Sequence, residues 1–186
     1  MNSMNIIVFI AAVLFGVTAS QSAQASQAAV THTEKAYSFK TPLSMAGTGC
    51  TASSVSLDAG LPFVGFAAYQ ANSKERVGCS LAVAVQVLPG YQIAVDRVRY
   101  SGKVSSRGLF KYKVFFAGIS GQAFTERQPI PTSGDEYFAV DDIAAPLWSA
   151  CGRDVNLRFN TSLQTFAESN SISLKGFSFR VIQRAC

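Results

Sequence analysis

The sequence predicts an all-β protein, a single antiparallel β-sandwich of the jelly-roll or Greek-key type that carries two disulfides. The first observation is periodicity: from Gly47 onwards, apolar residues recur at every second position, and helical patterns are nearly absent. The second is the spacing of turn residues, which divides this region into about eight strands, enough for two packed sheets. The third is composition: four cysteines favour disulfides, and fourteen Phe against one Trp predict a Phe-rich core.

Residues 1–25 are predicted to be a secretory signal peptide. Ile6–Ala19 is an apolar run of signal-peptide length, too short for a comfortable membrane span. The small-x-small sequence Ala23-Gln24-Ala25 follows, so we expect cleavage after Ala25 and a secreted or periplasmic protein. The segment before the apolar run contains no Lys or Arg, and an uncleaved anchor is therefore the alternative.

Residues 26–46 are rich in Ser, Ala, Gln and Thr, which predicts a loosely ordered leader with a short strand near Tyr37–Phe39. Residues 47–186 form the predicted sandwich domain, whose length suits one hydrophobic core. No segment after the signal is apolar enough to span a membrane as a helix. The net charge of +5 is dispersed, unlike the basic stripe of a nucleic-acid-binding protein.

The cysteines Cys50, Cys79, Cys151 and Cys186 are even in number and lie in a chain predicted to be exported, which favours two disulfides. Three pairings are open. Cys50–Cys79 and Cys151–Cys186 are favoured because each joins sequence neighbours and closes a loop of about 30 residues. Metal binding is the rival interpretation, but the chain has no C-x-x-C motif and its one histidine, His32, lies in the leader.

The sequence around Leu88–Tyr91 predicts a turn between two strands. Pro89 and Gly90 are typical of a type II turn, so we expect Cys79–Leu88 and Tyr91–Tyr100 to form a hairpin. In the second strand the apolar residues change phase, which predicts a β-bulge at Asp96-Arg97 that leaves Arg97 and Arg99 facing solvent.

Three further stretches predict strands, Phe110–Phe116, Val155–Leu163 and Ile172–Phe179. In the last of these a second phase change, at Lys175-Gly176, predicts another bulge. Gly118–Pro146 is rich in turn residues and predicts a long connection with a short strand at Tyr137–Val140.

Catalytic motifs are sparse. A Ser-His-Asp triad needs a histidine in the folded domain, and no phosphate-binding or dinucleotide-binding loop occurs, so we predict no cofactor. Paired carboxylates could serve a glycosidase, but no spacing singles out a pair. The candidates are Asp58, Asp96, Asp141, Asp142 and Glu168. A hard-cation site is a further possibility, but a solvated acidic loop is favoured over it, so no metal is predicted. Its ligands would be Asp135, Glu136, Asp141 and Asp142.

Outward-facing cations on the predicted strands form a candidate binding face for acidic or polysaccharide envelope material. They are Arg97, Arg99, Lys111, Lys113 and Arg158. An ordinary solvated strand face is the plainer interpretation. Aromatic residues could likewise form a sugar-stacking platform, although most fall on the apolar side of their strands and favour core packing. They are Tyr69, Tyr91, Tyr100, Tyr112, Tyr137 and Trp148.

Four stretches in order carry a family resemblance: "GTGC" (Gly47–Cys50), "CSLAVAVQVLPGYQIAV" (Cys79–Val95), "YSG" (Tyr100–Gly102) and "WSACG" (Trp148–Gly152). The chain resembles the secreted proteins of the domain-of-unknown-function 4360 family. Family members tend to carry Arg where this chain has Ser101. The resemblance implies export and a compact cysteine-linked domain, and it supplies no catalytic residues.

These observations together favour an exported, non-enzymatic β-sandwich that binds at the cell envelope or to an extracellular partner. The alternative is a secreted hydrolase that acts on polysaccharide through paired carboxylates.

Overall fold

The computed structural model describes residues 35–57, 61–119, 123–127 and 136–186. These ranges contain ten strands and no helix, which confirms the all-β prediction. The strands are β1 (Tyr37–Gly47), β2 (Ala52–Ser56), β3 (Phe63–Asn72), β4 (Arg76–Val87), β5 (Tyr91–Val104), β6 (Gly108–Phe116), β7 (Ala123–Arg127), β8 (Glu136–Asp142), β9 (Val155–Thr165) and β10 (Ser171–Ala185).

The N-terminal predictions are only partly covered by the structure. The signal peptide, its cleavage point at Ala25, and His32 lie outside the described residues. The strand expected near Tyr37–Phe39 is longer than predicted. It continues to Gly47 and so includes the end of the predicted leader. Among the described residues, no helix is long and apolar enough to cross a membrane.

The strands form two five-stranded antiparallel sheets that share one core. The first sheet has the order β1-β4-β9-β6-β7, and the second has the order β2-β3-β10-β5-β8. The predicted hairpin between β4 and β5 is therefore wrong, since these strands lie in different sheets. Each buries one apolar face, and alternation alone does not tell whether two such strands pair side by side or face each other across a core.

The turn between β4 and β5 forms where the sequence places it. The backbone N–H of Tyr91 donates to the carbonyl of Leu88 at 3.2 Å, and Gly90 has a φ of +81°. A left-handed backbone at this position is the reason why glycine is needed there. The turn carries the chain from one sheet to the other.

Both predicted bulges are present in the pairing of β5 with β10. Arg97 pairs with Arg180 and Val95 pairs with Val181, so Asp96 is an extra residue on β5. Towards the other end of β5, Lys175 is an extra residue on β10. Each bulge restores the apolar phase of its strand, and Arg97 and Arg99 consequently face outwards while Val98 and Tyr100 are buried.

Aromatic side chains from the inner faces of both sheets fill the core, as the composition predicts. The ring centroid of Phe159 on β9 lies 4.5 Å from that of Phe179 and 5.0 Å from that of Phe177, both on β10. Tyr100 on β5 meets Phe110 on β6 at 4.5 Å. These contacts cross between the sheets, and burial of such rings is the main stabilising contribution to the sandwich.

The two disulfides have the favoured pairing, Cys50–Cys79 and Cys151–Cys186. The first joins the loop after β1 to β4. The second joins the loop before β9 to the end of β10. That loop also runs beside β5, where the backbone N–H of Ser149 donates to the carbonyl of Ile93 at 2.8 Å.

A close approach at Gly102 on β5 leaves no room for a side chain. A Cβ there would lie 1.9 Å from the carbonyl oxygen of Ser173 and 2.6 Å from the hydroxyl of Tyr137. The Tyr137 hydroxyl itself donates to that carbonyl at 3.0 Å, which ties β8 to β10 across β5.

We expect Gly102→Ala to lower the free energy of unfolding by about 1–3 kcal/mol, because β5, β8 and β10 must shift to accept the methyl group. Urea unfolding monitored by circular dichroism measures the change. Gly78→Ala on β4 is the matched control, since the nearest atom to a Cβ there is 3.5 Å away, an ordinary contact. Equal stability of the two variants would contradict the assignment of Gly102.

Tyr69 provides a test of the core by pH. Burial raises its pKa from 10.0 to about 12, and its hydroxyl lies 3.0 Å from Oγ1 of Thr161. The neutral phenol is favoured in the folded state. Its contribution to stability is therefore complete below pH 10 and is lost as pH rises from 10 towards 12.

We expect the ionisation of Tyr69 to lower the free energy of unfolding by roughly 2–3 kcal/mol as pH rises across that interval. Tyr69→Phe should flatten the pH dependence, although burial also raises the pKa of Tyr37 and Tyr137 and leaves some slope. Urea unfolding at about pH 9 and about pH 11 compares the two proteins over the first half of this change, where roughly 1 kcal/mol of the loss is expected. An identical slope in the variant would show that Tyr69 ionises without penalty.

Candidate functional site

The five cations predicted as one binding face lie on two different sheets. Arg97 and Arg99 belong to β5 in the second sheet, whereas Lys111 and Lys113 on β6 and Arg158 on β9 belong to the first. Four of them lie between two buried neighbours, and Arg97 lies between the bulge residue Asp96 and buried Val98, so their outward phase was predicted correctly. The two groups occupy the outer faces of different sheets and do not form a single surface.

Ion pairs surround the bulge at Asp96. The carboxylate of Asp96 accepts hydrogen bonds from Arg180, with Nε at 2.8 Å from Oδ1. Nε of Arg97 donates to Asp142 on the neighbouring strand. This hydrogen bond holds the pKa of Asp142 below its usual range. Exposed pairs of this kind add little stability, but here they occupy two of the arginines on this face.

The carboxylates considered for a hydrolase are held in ion pairs or in the interior. Asp96 and Asp142 have arginine partners, and Glu168 pairs with Lys74 at 2.8 Å. Asp141 is buried. A general acid for glycoside hydrolysis needs a raised pKa, whereas that of Asp142 is lowered. Asp58 lies outside the described residues.

Metal ligation is not indicated within the described ranges, where no group of three or more His, Cys, Asp or Glu side chains could hold an ion. Asp135, one member of the acidic loop weighed as a cation site, lies outside those ranges.

Four of the six aromatic residues weighed as a sugar platform are core residues. Tyr69, Tyr100, Tyr112 and Tyr137 are buried. Trp148 lies beside β5, and the guanidinium of Arg184 stacks on its ring at 3.9 Å from the centroid. Core packing is therefore the correct interpretation for most of this set.

A different pair of aromatic residues borders a depression on the outer face of the second sheet. Phe63 begins β3 and is 39% exposed, and Phe138 on β8 is 68% exposed. The depression between them has a volume of about 180 Å³ and is called the groove below. Its lining includes Leu61, Phe63, Arg99, Ser101, Phe138 and Ser178.

Strand register places these side chains in two adjacent rows across the sheet. Residues paired across strands point to the same face, so each row is a continuous strip of the outer surface. One row is Phe63, Ser178, Arg99 and Val140. The next row is Gly65, Gly176, Ser101 and Phe138.

Two paired glycines make room for the ring of Phe63 at the edge of the groove. A Cβ at Gly176 would lie 2.7 Å from the ring of Phe63, and one at Gly65 would lie 3.2 Å from the same ring. The ring of Phe63 therefore lies across these two paired glycines and covers a part of the sheet that lacks side chains. Gly176 directly follows the bulge at Lys175, so the bulge helps to position the glycine over which the ring of Phe63 lies.

Arg99 is the charged residue of the groove. Its Nε is buried and has no hydrogen-bond partner within the described part of the chain. The register explains this difference from Arg97, because Arg99 pairs with Ser178 and Val140, whereas Arg97 pairs with Arg180 and Asp142.

A second depression of about 250 Å³ adjoins the groove and shares Ser101 and Phe138 with it. Its rim carries the carboxylate of Glu136, which lies 2.6 Å from Nζ of Lys175 and 3.7 Å from Nζ of Lys103. The hydrogen bond from Lys175 lowers the pKa of Glu136. Phe138 therefore lies between the groove and this second depression.

The sequence reasoning missed both Phe63 and Phe138. Around Phe138 both alternating sets of residues are apolar: Tyr137 and Ala139 lie on one face of the strand, and Phe138 and Val140 lie on the other. A partial signal existed at Phe63, which falls in the phase opposite to Val64 and Phe66, the buried apolar residues at its end of β3; further along the strand the phase changes, and Tyr69 and Ala71 are buried. An aromatic residue on the polar phase of a strand marks a candidate surface site.

The solved structures that the chain is similar to include the following three. The carbohydrate-binding module TmCBM61 in complex with β-1,4-galactotriose has a TM-score of 0.38 and 12% identity, covering 78% of this chain and 89% of that one. The enzymatically active domain of bacteriophage CBA120 tailspike protein 4 has a TM-score of 0.30 and 11% identity over 81% of this chain, which spans only 19% of the tailspike chain.

The third structure is the N-terminal cellulose-binding domain of Cellulomonas fimi β-1,4-glucanase C, with a TM-score of 0.28 and 13% identity over 76% of this chain and 88% of that one. At these identities and TM-scores the likenesses indicate nothing about the ligand of this chain. No curated protein matches the sequence.

A family model agrees with the resemblance carried by the Gly-x-Gly-Cys, Pro-Gly-Tyr and Trp-Ser-x-Cys-Gly stretches. The model described as "Domain of unknown function (DUF4360)" matches residues 40–180, a range that reaches from β1 into β10. Because the match covers most of the chain and includes all or part of every strand of both sheets, the protein belongs to the DUF4360 family.

Proposed function

We propose that the protein is an exported, non-enzymatic β-sandwich that binds polysaccharide at the cell envelope, and that the groove is its binding site. The observation that carries this proposal is the exposure of Phe63 and Phe138 on two sides of a floor of glycine and serine. Large apolar side chains that border a concave surface are typical of ligand sites.

The chemistry of the groove suits a sugar. A pyranose ring has apolar patches of C–H groups and a rim of hydroxyls. Aromatic rings such as Phe138 can cover the apolar patches, and the hydroxyls of Ser101 and Ser178 can exchange hydrogen bonds with the rim. The groove is open rather than enclosed and continues into the second depression, so a chain of sugars could cross it.

Export is supported by the cysteines. All four are paired, and disulfides persist mainly in oxidising compartments outside the cytoplasm. The predicted signal peptide leads to the same proposal. Together they favour a site of action at the cell surface or beyond it.

We expect Phe138→Ala to weaken binding to insoluble envelope polysaccharide about five- to tenfold, because truncating an exposed aromatic anchor removes its stacking area. Co-sedimentation of the purified protein with envelope material and insoluble polysaccharides, over a range of protein concentrations, measures the affinity.

Phe166→Ala is the matched control. Phe166 is the same residue type, is 48% exposed and lies just after β9, away from the groove lining. Its loss should leave binding unchanged, and both variants should unfold at the wild-type urea concentration. The proposal is overturned if wild-type protein sediments with none of these materials, or if both Phe variants bind as wild type does.

A further inference from the structure

We infer that the groove selects acidic saccharides and that Arg99 receives the carboxylate of a uronic-acid residue. The inference rests on the proposed function of the groove as a polysaccharide site. It adds the chemical class of the ligand and assigns the residue that recognises it.

The first argument is the contrast among three arginines on one face. Arg97 and Arg180 each have an aspartate partner on this surface, Asp142 and Asp96. Arg99 makes no ion pair with the residues that the structure describes, and its buried Nε lacks an acceptor there. Among the described residues, the same sheet supplies carboxylates to two guanidinium groups and none to the third, which belongs to the lining of the groove.

The second argument is the register that produces this contrast. On β8, Asp142 stands beside Arg97, whereas Val140 stands beside Arg99. On the other side of Arg99, β10 contributes Ser178, which can donate or accept one hydrogen bond but carries no charge. Both strands next to Arg99 therefore place neutral residues, Ser178 and Val140, at the positions that pair with it.

The third argument is the setting of the guanidinium. The lining of the groove includes Leu61, Phe63 and Phe138 as well as Arg99. Apolar neighbours lower the local dielectric and strengthen a charge-assisted hydrogen bond, so a carboxylate gains more here than at an open surface. A planar guanidinium also matches a carboxylate in shape, which a single lysine ammonium does not.

The remaining charges near the groove do not oppose an anion. The pairs Asp96–Arg180 and Arg97–Asp142 are balanced. On the opposite side, Lys103 and Lys175 both pair with the carboxylate of Glu136, so these three described side chains together carry one positive charge. Asp142 is a nearby acid, but the hydrogen bond from Arg97 is the main cause of its lowered pKa, and Arg99 contributes only at longer range.

The test compares acidic polymers with their neutral counterparts. The probes are polygalacturonate, polyglucuronate and alginate, each used as such and after chemical reduction of its carboxyl groups to alcohols. The full chain is titrated with each pair, and affinity is measured at two salt concentrations. We expect the wild-type protein to bind at least one acidic polymer about tenfold more tightly than its reduced form.

Arg99→Gln should abolish this preference, because the acidic polymer should lose about tenfold in affinity relative to its reduced form. Arg97→Gln is the matched control, because it removes the same charge from the same strand but from a guanidinium that already has a partner. It should keep the preference. Thermal unfolding of both variants shows whether either change disturbs the fold.

The outcomes separate the two proposals. If the reduced polymers bind as tightly as the acidic ones, or if Arg97→Gln and Arg99→Gln lose the preference equally, the assignment of Arg99 is wrong and the polysaccharide site stands. If no polymer binds in either form, the proposed function fails together with this inference.

Discussion

The pairing of β5 with β10 is the constraint on which the rest of the molecule depends. These strands lie next to each other inside the second sheet, and each contains one extra residue, Asp96 and Lys175. Without those bulges, half of each strand would turn its apolar side chains to solvent, because a shift of one residue exchanges the two faces. The two bulges therefore let two long strands bury a continuous aromatic face.

The outer surface follows from the same constraint. The bulge at Asp96 lies among the paired arginines and aspartates, and the bulge at Lys175 is followed by Gly176, over which the ring of Phe63 lies. Arg99 is situated between these two irregularities, at a position where both neighbouring strands are neutral. The register of β5 with β8 and β10 thus determines which arginines have an aspartate partner and where the groove lies on the outer face.

Sequence reasoning recovered the fold class, both bulges, the turn at Pro89-Gly90 and the disulfide pairs, because each has a local signature in phase or spacing. It failed where the answer depends on which strands become neighbours. The pairing of β4 with β5 was wrong, and the cations were placed on one face although two sheets carry them. Phe138 was missed for a related reason, since both faces of β8 are apolar and only packing decides which one is buried.

The order of the strands has a consequence for biogenesis. Of the ten strands that the structure describes, β9 is central in the first sheet and β10 is central in the second, although they are the last two in sequence. Neither sheet can be completed until these late segments are available, and contacts so distant in sequence form slowly. A chain emerging from the ribosome would therefore stay incompletely folded until β9 and β10 have been synthesised.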